Sequence, residues 1–389
     1  MKITKLHLKD FKVFDDLELD FTGKDGQPLN QIVLAGLNGT GKTTILEVIK
    51  GVFESRVQLH NKRINLKYEY NGQIVSSDKV DFDQLISNNR LVKVIYRPAK
   101  IRNTLSDKDI QPHIPRRVEI NVNEIYYKPI TRFMDLKKDF QENFKVFHAY
   151  NKLAMKEIIL SPIKNKVFEN KEKPPIEVIE SEIANMNSIF KGIDLNSRFV
   201  DIDDNNLFFE SVNGQRITFE ELSSGEKQLY FMGFMLKNLN INNTIIMIDE
   251  PEDSLHPKWQ SQLLQFYSNI GENNQVILAT HSPHIIGSAK AESVFLLKNE
   301  NGKITASNPK YSEGHSIPYV LSEIMDVDYR NTYANNLVDD YLTLIRKGEH
   351  TNEQGKMLLE KIEALNLAPN SEEQQRIDLS LRRFEAIGR

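Results

Sequence analysis

The chain contains no cysteine. That absence excludes a disulfide scaffold, a cysteine-zinc site and a thiol nucleophile, and it suits a reducing cytoplasm. No stretch approaches the 18 apolar residues that a membrane-crossing helix needs. The opening Met1-Lys2-Ile3-Thr4-Lys5-Leu6 runs into alternating polar and apolar residues, not into the core of a signal peptide. Gly and Pro, 18 and 14 residues, are too few for a collagenous or low-complexity chain. Nor is there an excess of positive charge. Fifty Lys and Arg stand against 54 Asp and Glu, a net charge of −4, which excludes a globally basic nucleic-acid coat but leaves room for a local patch. What remains is an ordinary globular composition: 389 residues, 40% hydrophobic, with 20 Phe and 13 Tyr, enough for two or three domains.

Strand-like alternation runs over 2–9 and 17–21, and Gln31–Ala35 is an apolar run closed by glycine. Apolar residues at Ile45, Leu46, Val48, Ile49 and Val52 follow at helical spacing. Another strand is expected at 91–96. From about 100 to 200 the chain turns polar and proline-punctuated, with helices expected near 131–159 and 176–191. Short strands return over 198–219, with a turn at Asn213-Gly214. Buried-strand runs at 244–249 and 275–280 flank a helical pattern at 257–270. Residues 321–389, rich in Leu, Glu, Lys and Arg, read as helices broken near 349–353 and 367–371. Strands alternating with helices at both ends predict an α/β core with an insertion in its middle.

Gly36-Leu37-Asn38-Gly39-Thr40-Gly41-Lys42-Thr43 matches the phosphate-binding-loop pattern, with an apolar strand before it and a helix after it. The glycines let backbone N–H groups close around phosphate oxygens, and the helix N-terminus adds positive field. Candidate nucleotide contacts are Asn38, Gly39, Thr40, Gly41, Lys42, Thr43 and Thr44. Lys42 suits the β- and γ-phosphates, and the Thr43 hydroxyl suits Mg²⁺.

Ile245-Ile246-Met247-Ile248-Asp249-Glu250 is an apolar strand ending in two acids. Asp249 is the candidate metal residue with Thr43. Glu250 is the candidate base for the attacking water. Such a strand alone is common; its company with a phosphate loop gives it weight. Leu222-Ser223-Ser224-Gly225-Glu226 opens a helix and can offer hydroxyls and N–H groups to an anion. The plainer reading is helix capping, with Glu226 completing a capping box from Ser223. Ala279-Thr280-His281-Ser282 ends the next apolar strand, and His281 is placed to reach a γ-phosphate or the attacking water.

In this order the four segments resemble the ATP-binding-cassette ATPases, in the branch of the chromosome-maintenance, recombination-repair and overcoming-lysogenization-defect ATPases. Leu222–Glu226 is similar to the cassette signature, Asp249–Pro257 to the Walker B and D-loop run, and His281 to the switch histidine. Asp10–Phe14 resembles the usual opening of these proteins. The resemblance implies an α/β P-loop cassette head carrying an inserted, mainly helical arm and a C-terminal helical extension. The expected divisions are an N-terminal lobe over 1–99, an arm over 100–204, a C-terminal lobe over 205–320 and the extension over 321–389. It also implies ATP and Mg²⁺ as cofactors and a head-to-head pair, in which Ser223, Ser224, Gly225 and Glu226 of one copy cover the ATP held by Lys42 of the other.

Three functions compete on these residues. A simple P-loop phosphotransferase would need neither the signature nor the histidine. The ATP-binding subunit of a membrane transporter fits less well with the long insertion and the amino-terminal opening. A soluble defence or DNA-repair ATPase fits best. After His281 the chain shows no acidic strand set of a nuclease, so any nuclease is expected in a separate chain. That arrangement resembles the ATPase subunits of prokaryotic anti-phage systems such as Septu, where the partner is a nuclease. Residues 91–145 hold 12 Lys and Arg against 7 Asp and Glu. Arg97, Lys100, Arg102, Arg116, Arg117, Lys137 and Lys138 there are candidate contacts to DNA or RNA, against the plainer reading of a solvated helical face.

Overall fold

In the computed structural model the described residues are 1–53, 63–70, 72–77, 93–97, 159–203, 206–239, 241–327, 332–365, 367 and 371–387. They divide into two compact units, Met1–Val320 and Leu321–Arg389. All but the last residue of the helix expected over 131–159, and nearly all of the basic stretch 91–145, lie outside the described residues.

The first unit is organised by two sheets that share one apolar core. Strands β1 (Lys2–Phe11), β2 (Phe14–Asp20), β4 (Ile64–Tyr70) and β5 (Gln73–Ser76) form an antiparallel sheet in the order β2-β1-β4-β5. Its alternation is simple: Leu17 and Leu19 of β2 and Ile64, Leu66 and Tyr68 of β4 are buried, while their neighbours are more exposed. The second sheet has the order β13-β12-β3-β11-β10-β6. It is built from β3 (Gln31–Gly36), β6 (Lys93–Arg97), β10 (Thr244–Asp249), β11 (Gln275–Thr280), β12 (Val294–Glu300) and β13 (Lys303–Ser307). Strands β6, β10, β11, β3 and β12 run parallel, and β13 closes the edge antiparallel. Every residue of β10 and β11 is buried, as expected of strands covered on both faces. Helix α1 (Lys42–Phe53) packs its Ile45, Leu46, Ile49 and Val52 into the same core.

Helices α2 (Ser161–Glu169) and α3 (Pro175–Asn187) lead into a three-stranded antiparallel sheet, β7 (Ser197–Ile202), β8 (Leu207–Ser211) and β9 (Arg216–Thr218). Helix α4 (Ser224–Asn238) packs there among rings. Phe190 lies 4.8 Å from Tyr230 and 5.4 Å from Phe234 between centroids, an edge-to-face geometry. Gly233 makes this possible, because a Cβ at that position would stand 2.6 Å from the Phe190 ring. The turn at Asn213-Gly214 joins β8 to β9 as the sequence led us to expect.

Two expectations need correction. The single helix over 257–270 is two short ones, α5 (Pro257–Gln260) and α6 (Leu263–Ser268). At the break the Ser261 hydroxyl donates to the Lys258 carbonyl and so competes with the helical ladder, while the Gln262 side chain accepts from the Asp194 N–H. The hairpins β4–β5 and β12–β13 were not anticipated. Helix α7 (Pro283–Ser288) follows β11, capped by Ser282. In the second unit, α8 (Thr332–Lys347), α9 (Glu353–Ala364) and α10 (Glu372–Ile387) enclose Leu337, Val338, Tyr341, Leu342, Ile345, Ile362 and Ile377.

One polar side chain joins the two sheets. Gln275, fully buried, accepts from the Ile3 N–H at 2.7 Å and donates to the carbonyls of Ile3 and Leu29 at 2.9 and 2.8 Å. The β1–β4 register shifts between Ile3 and Lys5, which frees the Ile3 backbone for this role. Replacing Gln275 by Leu leaves three buried backbone groups unpaired. Gln275→Leu is therefore expected to lower unfolding free energy by about 2–4 kcal/mol in denaturant titration. A loss below about 0.5 kcal/mol would mean that water already satisfies those groups.

Candidate active site

The parallel register brings three strand ends to one level. Asp249 lies opposite Ala279, Ala279 opposite Leu34, and Thr280 opposite Ala35. The phosphate loop, the two acids and His281 therefore converge on the carboxyl edge of adjacent strands β3, β10 and β11, where ligands of open α/β sheets sit. A cavity of about 860 Å³, lined by Asn30, Asn243, Asn274 and Lys290 among others, opens at the opposite strand ends and takes no part in this site.

The loop itself depends on two close approaches. Gly36 has φ +151°, and a Cβ there would meet the Leu297 carbonyl oxygen at 2.5 Å, so only glycine lets β12 pair alongside. Gly41 has φ +90°, and a Cβ would strike the Phe14 ring at 2.4 Å. The start of β2 thus leans on the loop. Asn38 and Gly39 are exposed, Thr40 is buried, and Thr43 and Thr44 begin α1. Lys42, 6% exposed as a residue, donates its ammonium to the carbonyls of Gly36 at 2.8 Å and Leu37 at 3.0 Å. Burial pulls its pKa down, and Asp249, Glu250 and Glu252 oppose that fall.

Thr43 Oγ1 donates to Asp249 Oδ2 at 2.7 Å, a direct link between the loop and the acidic strand end. Asp249 is 2% exposed and its Oδ1 has no hydrogen-bond partner. Desolvation raises its pKa to about 6 despite the Thr43 bond and Lys42. A buried carboxylate oxygen left open beside a threonine hydroxyl fits a hard divalent cation. Among the described residues no cluster of three or more acidic or histidine side chains is arranged around a metal. A Mg²⁺ here would complete its shell from phosphate and water.

At Glu250 the strand ends abruptly. The residue has φ +47°, a left-handed conformation stored where the chain leaves the sheet, while its N–H still bonds the Ala279 carbonyl at 2.8 Å. His281 Nδ1 lies 3.9 Å from Glu250 Oε1 and 3.4 Å from Glu252 Oε1. Glu252 was not singled out from the sequence, although it stands within the acidic run after the strand. The structure buries it, with Oε1 toward His281.

The signature segment lies on other partners. Ser223 caps α4 by accepting from the Glu226 N–H at 3.3 Å. Its hydroxyl donates to Glu226 Oε2 at 2.8 Å, and Ser197 donates to Glu226 Oε1 at 2.8 Å. Glu226 therefore does not complete a capping box. Its carboxylate is committed inside the fold, tying α4 to β7. Ser224 is exposed at the first helical position. Gly225 is pressed so closely on Trp259 and Ser254 that a Cβ would meet them at 2.9 and 3.2 Å. Among the described residues, the side-chain bonds of Ser223 and Glu226 go to α4 and β7 and none goes to the phosphate loop.

A strand–loop–helix phosphate cradle, joined to a buried metal-type aspartate with a second acid and a histidine beside it, defines a nucleotide-binding P-loop ATPase. The chain is an ATP-hydrolysing enzyme of this class. Residues 97–287 match the family model described as an AAA domain, putative AbiEii toxin of a type IV toxin–antitoxin system. The retron Ec83 probable ATPase of Escherichia coli is 23% identical, with 92% of this chain and 82% of that protein covered. The Septu protein PtuA of Bacillus thuringiensis is also 23% identical, with 76% of this chain and 78% of that protein covered. Among solved structures, the SMC head domain from Thermotoga maritima aligns with a TM-score of 0.44 at 14% identity, covering 80% of this chain and all of that one. No helix among the described residues is long and apolar enough to cross a membrane.

The raised pKa of Asp249 has a pH consequence. A carboxyl whose folded pKa lies above its ordinary 3.8 favours folding only while protonated, so its contribution is lost as pH rises through about 6. Without nucleotide or Mg²⁺, wild type should lose stability relative to Asp249→Asn as pH rises from about 4 to about 6.5, by up to about 3 kcal/mol. The measurement is denaturant unfolding in a chelator across that range. A constant difference would show that Asp249 titrates normally.

Proposed function

We propose that this chain is an ATP-driven switch of an anti-phage defence system, working as a head-to-head pair and controlling a separate nuclease. The observation that carries the ATP chemistry is the Thr43–Asp249 hydrogen bond with Asp249 Oδ1 left open and buried. Lys42 and the N-terminus of α1 would hold the phosphates. Thr43 and Asp249 would hold Mg²⁺, which when bound neutralises phosphate charge. Glu250, 24% exposed at the sheet edge, has the accessibility to take a proton from water. His281 stands beside it. Because the bonds of Ser223 and Glu226 stay within their own half of the fold, the exposed Ser224 and the close-packed Gly225 suit a nucleotide held by a second copy. Symmetry then places two nucleotides at one two-fold interface.

The defence role draws on similarity to the Septu and retron ATPases over most of the chain. With no acidic nuclease set legible after His281, the switch would act on another protein, and DNA or RNA contact would run through 91–145. The protein would work in the cytoplasm.

Glu250→Gln should keep nucleotide bound and abolish turnover. Light scattering with Mg²⁺-ATP should then show a trapped dimer or a larger even-numbered assembly, whereas Lys42→Ala should lose ATP binding. Assembly and turnover both unchanged in Glu250→Gln would remove Glu250 from the chemistry. Co-expression with neighbouring genes, followed by pull-down, should recover a nuclease. DNA cleavage by this chain alone would overturn the separate effector.

A further inference from the structure

Glu252 lies beyond the two acids assigned to nucleotide and water, yet it is among the most enclosed carboxylates in the first unit, at 6% exposure. Its Oε1 accepts from the Thr280 hydroxyl at 2.6 Å and from the His281 backbone N–H at 3.0 Å. The same oxygen stands 3.4 Å from His281 Nδ1, inside charge-pair range and slightly long for a hydrogen bond. Its other oxygen, Oε2, is buried and has no partner. Glu250 Oε1 is the other carboxylate oxygen facing this ring nitrogen, at 3.9 Å.

Carboxylate oxygens accept hydrogen bonds and cannot donate them when ionised. With two of them aimed at Nδ1, the neutral ring is stable there only with its proton on Nδ1, which leaves Nε2 as the nitrogen available to substrate. The backbone bond to His281 fixes where the ring begins, and the Thr280 bond fixes the carboxylate itself. Thr280 Oγ1 in turn accepts from the Ser282 N–H at 2.9 Å, so the anchor spans both sides of the histidine.

We propose that Glu252 is the positioning residue of the hydrolytic site: it holds the His281 imidazole against Glu250 and sets its Nδ1–H tautomer. This rests on the ATPase reading for its consequence in turnover, but the tautomer is a property of the protein without nucleotide. A buried carboxylate facing a histidine Nδ1–H plays this part in the Ser-His-Asp hydrolases, and its loss is costly there although it never touches substrate.

The test uses the full chain and two variants. Glu252→Leu keeps volume and removes the acceptor; Glu252→Gln keeps an acceptor oxygen and removes the charge. Nitrogen-15 NMR of histidine side chains at about pH 8, above the ordinary histidine range, reads the tautomer, with His281→Gln assigning the signal. Wild type should show Nδ1–H at His281, and Glu252→Leu should shift it to Nε2–H. Hydrolysis should fall at least about tenfold in Glu252→Leu and by less in Glu252→Gln, with KM for ATP within about threefold in both. An unchanged tautomer in Glu252→Leu would overturn the proposal. Should that variant fold poorly, an Nε2–H tautomer at His281 in the wild-type protein would overturn it equally. A wild-type protein that shows the Nδ1–H tautomer but hydrolyses no ATP would refute the ATPase reading instead.

Discussion

Asp249 sits where water cannot reach it, with one oxygen bonded to Thr43 and the other open. Burying a charge without full compensation is among the costliest arrangements a fold can hold. Each neighbour of the site can be understood as a response to it. Lys42 is buried close enough to interact with the same charge, and the Thr43 hydroxyl is turned to donate to it. The unmet part of the demand leaves an open acceptor at this edge, which is what the proposed cation would answer. A fully satisfied aspartate there would make a more stable protein with no ligand to wait for.

That edge is only as accurate as the sheet beneath it. The phosphate loop hangs from β3, Asp249 from β10 and His281 from β11, and backbone pairing alone sets their relative heights. Gln275 clamps the lower end of β11 to β1, while Phe14 presses on Gly41 at the upper end, so the smaller sheet steadies the site from both ends of the core. A second set of contacts ties the signature helix to the acidic turn. Gly225 lies against Ser254 and Trp259, and the Trp259 indole donates to the Asp194 carbonyl. Lys258 pairs with the Asp194 carboxylate at 3.1 Å. The start of α4, the turn after Glu250 and the loop before β7 therefore form one packed joint.

Some of this was legible residue by residue. The glycines of 36–41 announce a loop that needs left-handed backbone, and the all-apolar β10 and β11 announce strands covered on both faces. The hairpin β4–β5 carried the alternating Ile64, Leu66 and Tyr68 but is short, and its partner β1 lies more than fifty residues away. At the break in 257–270 Gln262 accepts from Asp194, a residue outside any local window. Ser223 and Glu226 have capping-box spacing, yet the carboxylate takes the Ser223 hydroxyl and reaches on to Ser197, which the spacing could not foretell. Glu252 looked like one more acid in an acidic run until burial separated it from its neighbours.

The sequence by itself determined the local chemistry: a phosphate cradle, a strand ending in two acids, a capped helix and a histidine, each written in consecutive residues because backbone dihedrals and hydrophobic period are short-range properties. Only the tertiary structure decided which of those groups face one another and which oxygens stay open. Strand register put Asp249 level with Ala279, and packing removed water from Asp249 and Glu252 while leaving Glu250 and His281 accessible. Burial and hydrogen-bond satisfaction are sums over neighbours far apart in the chain, and no window of the sequence contains them.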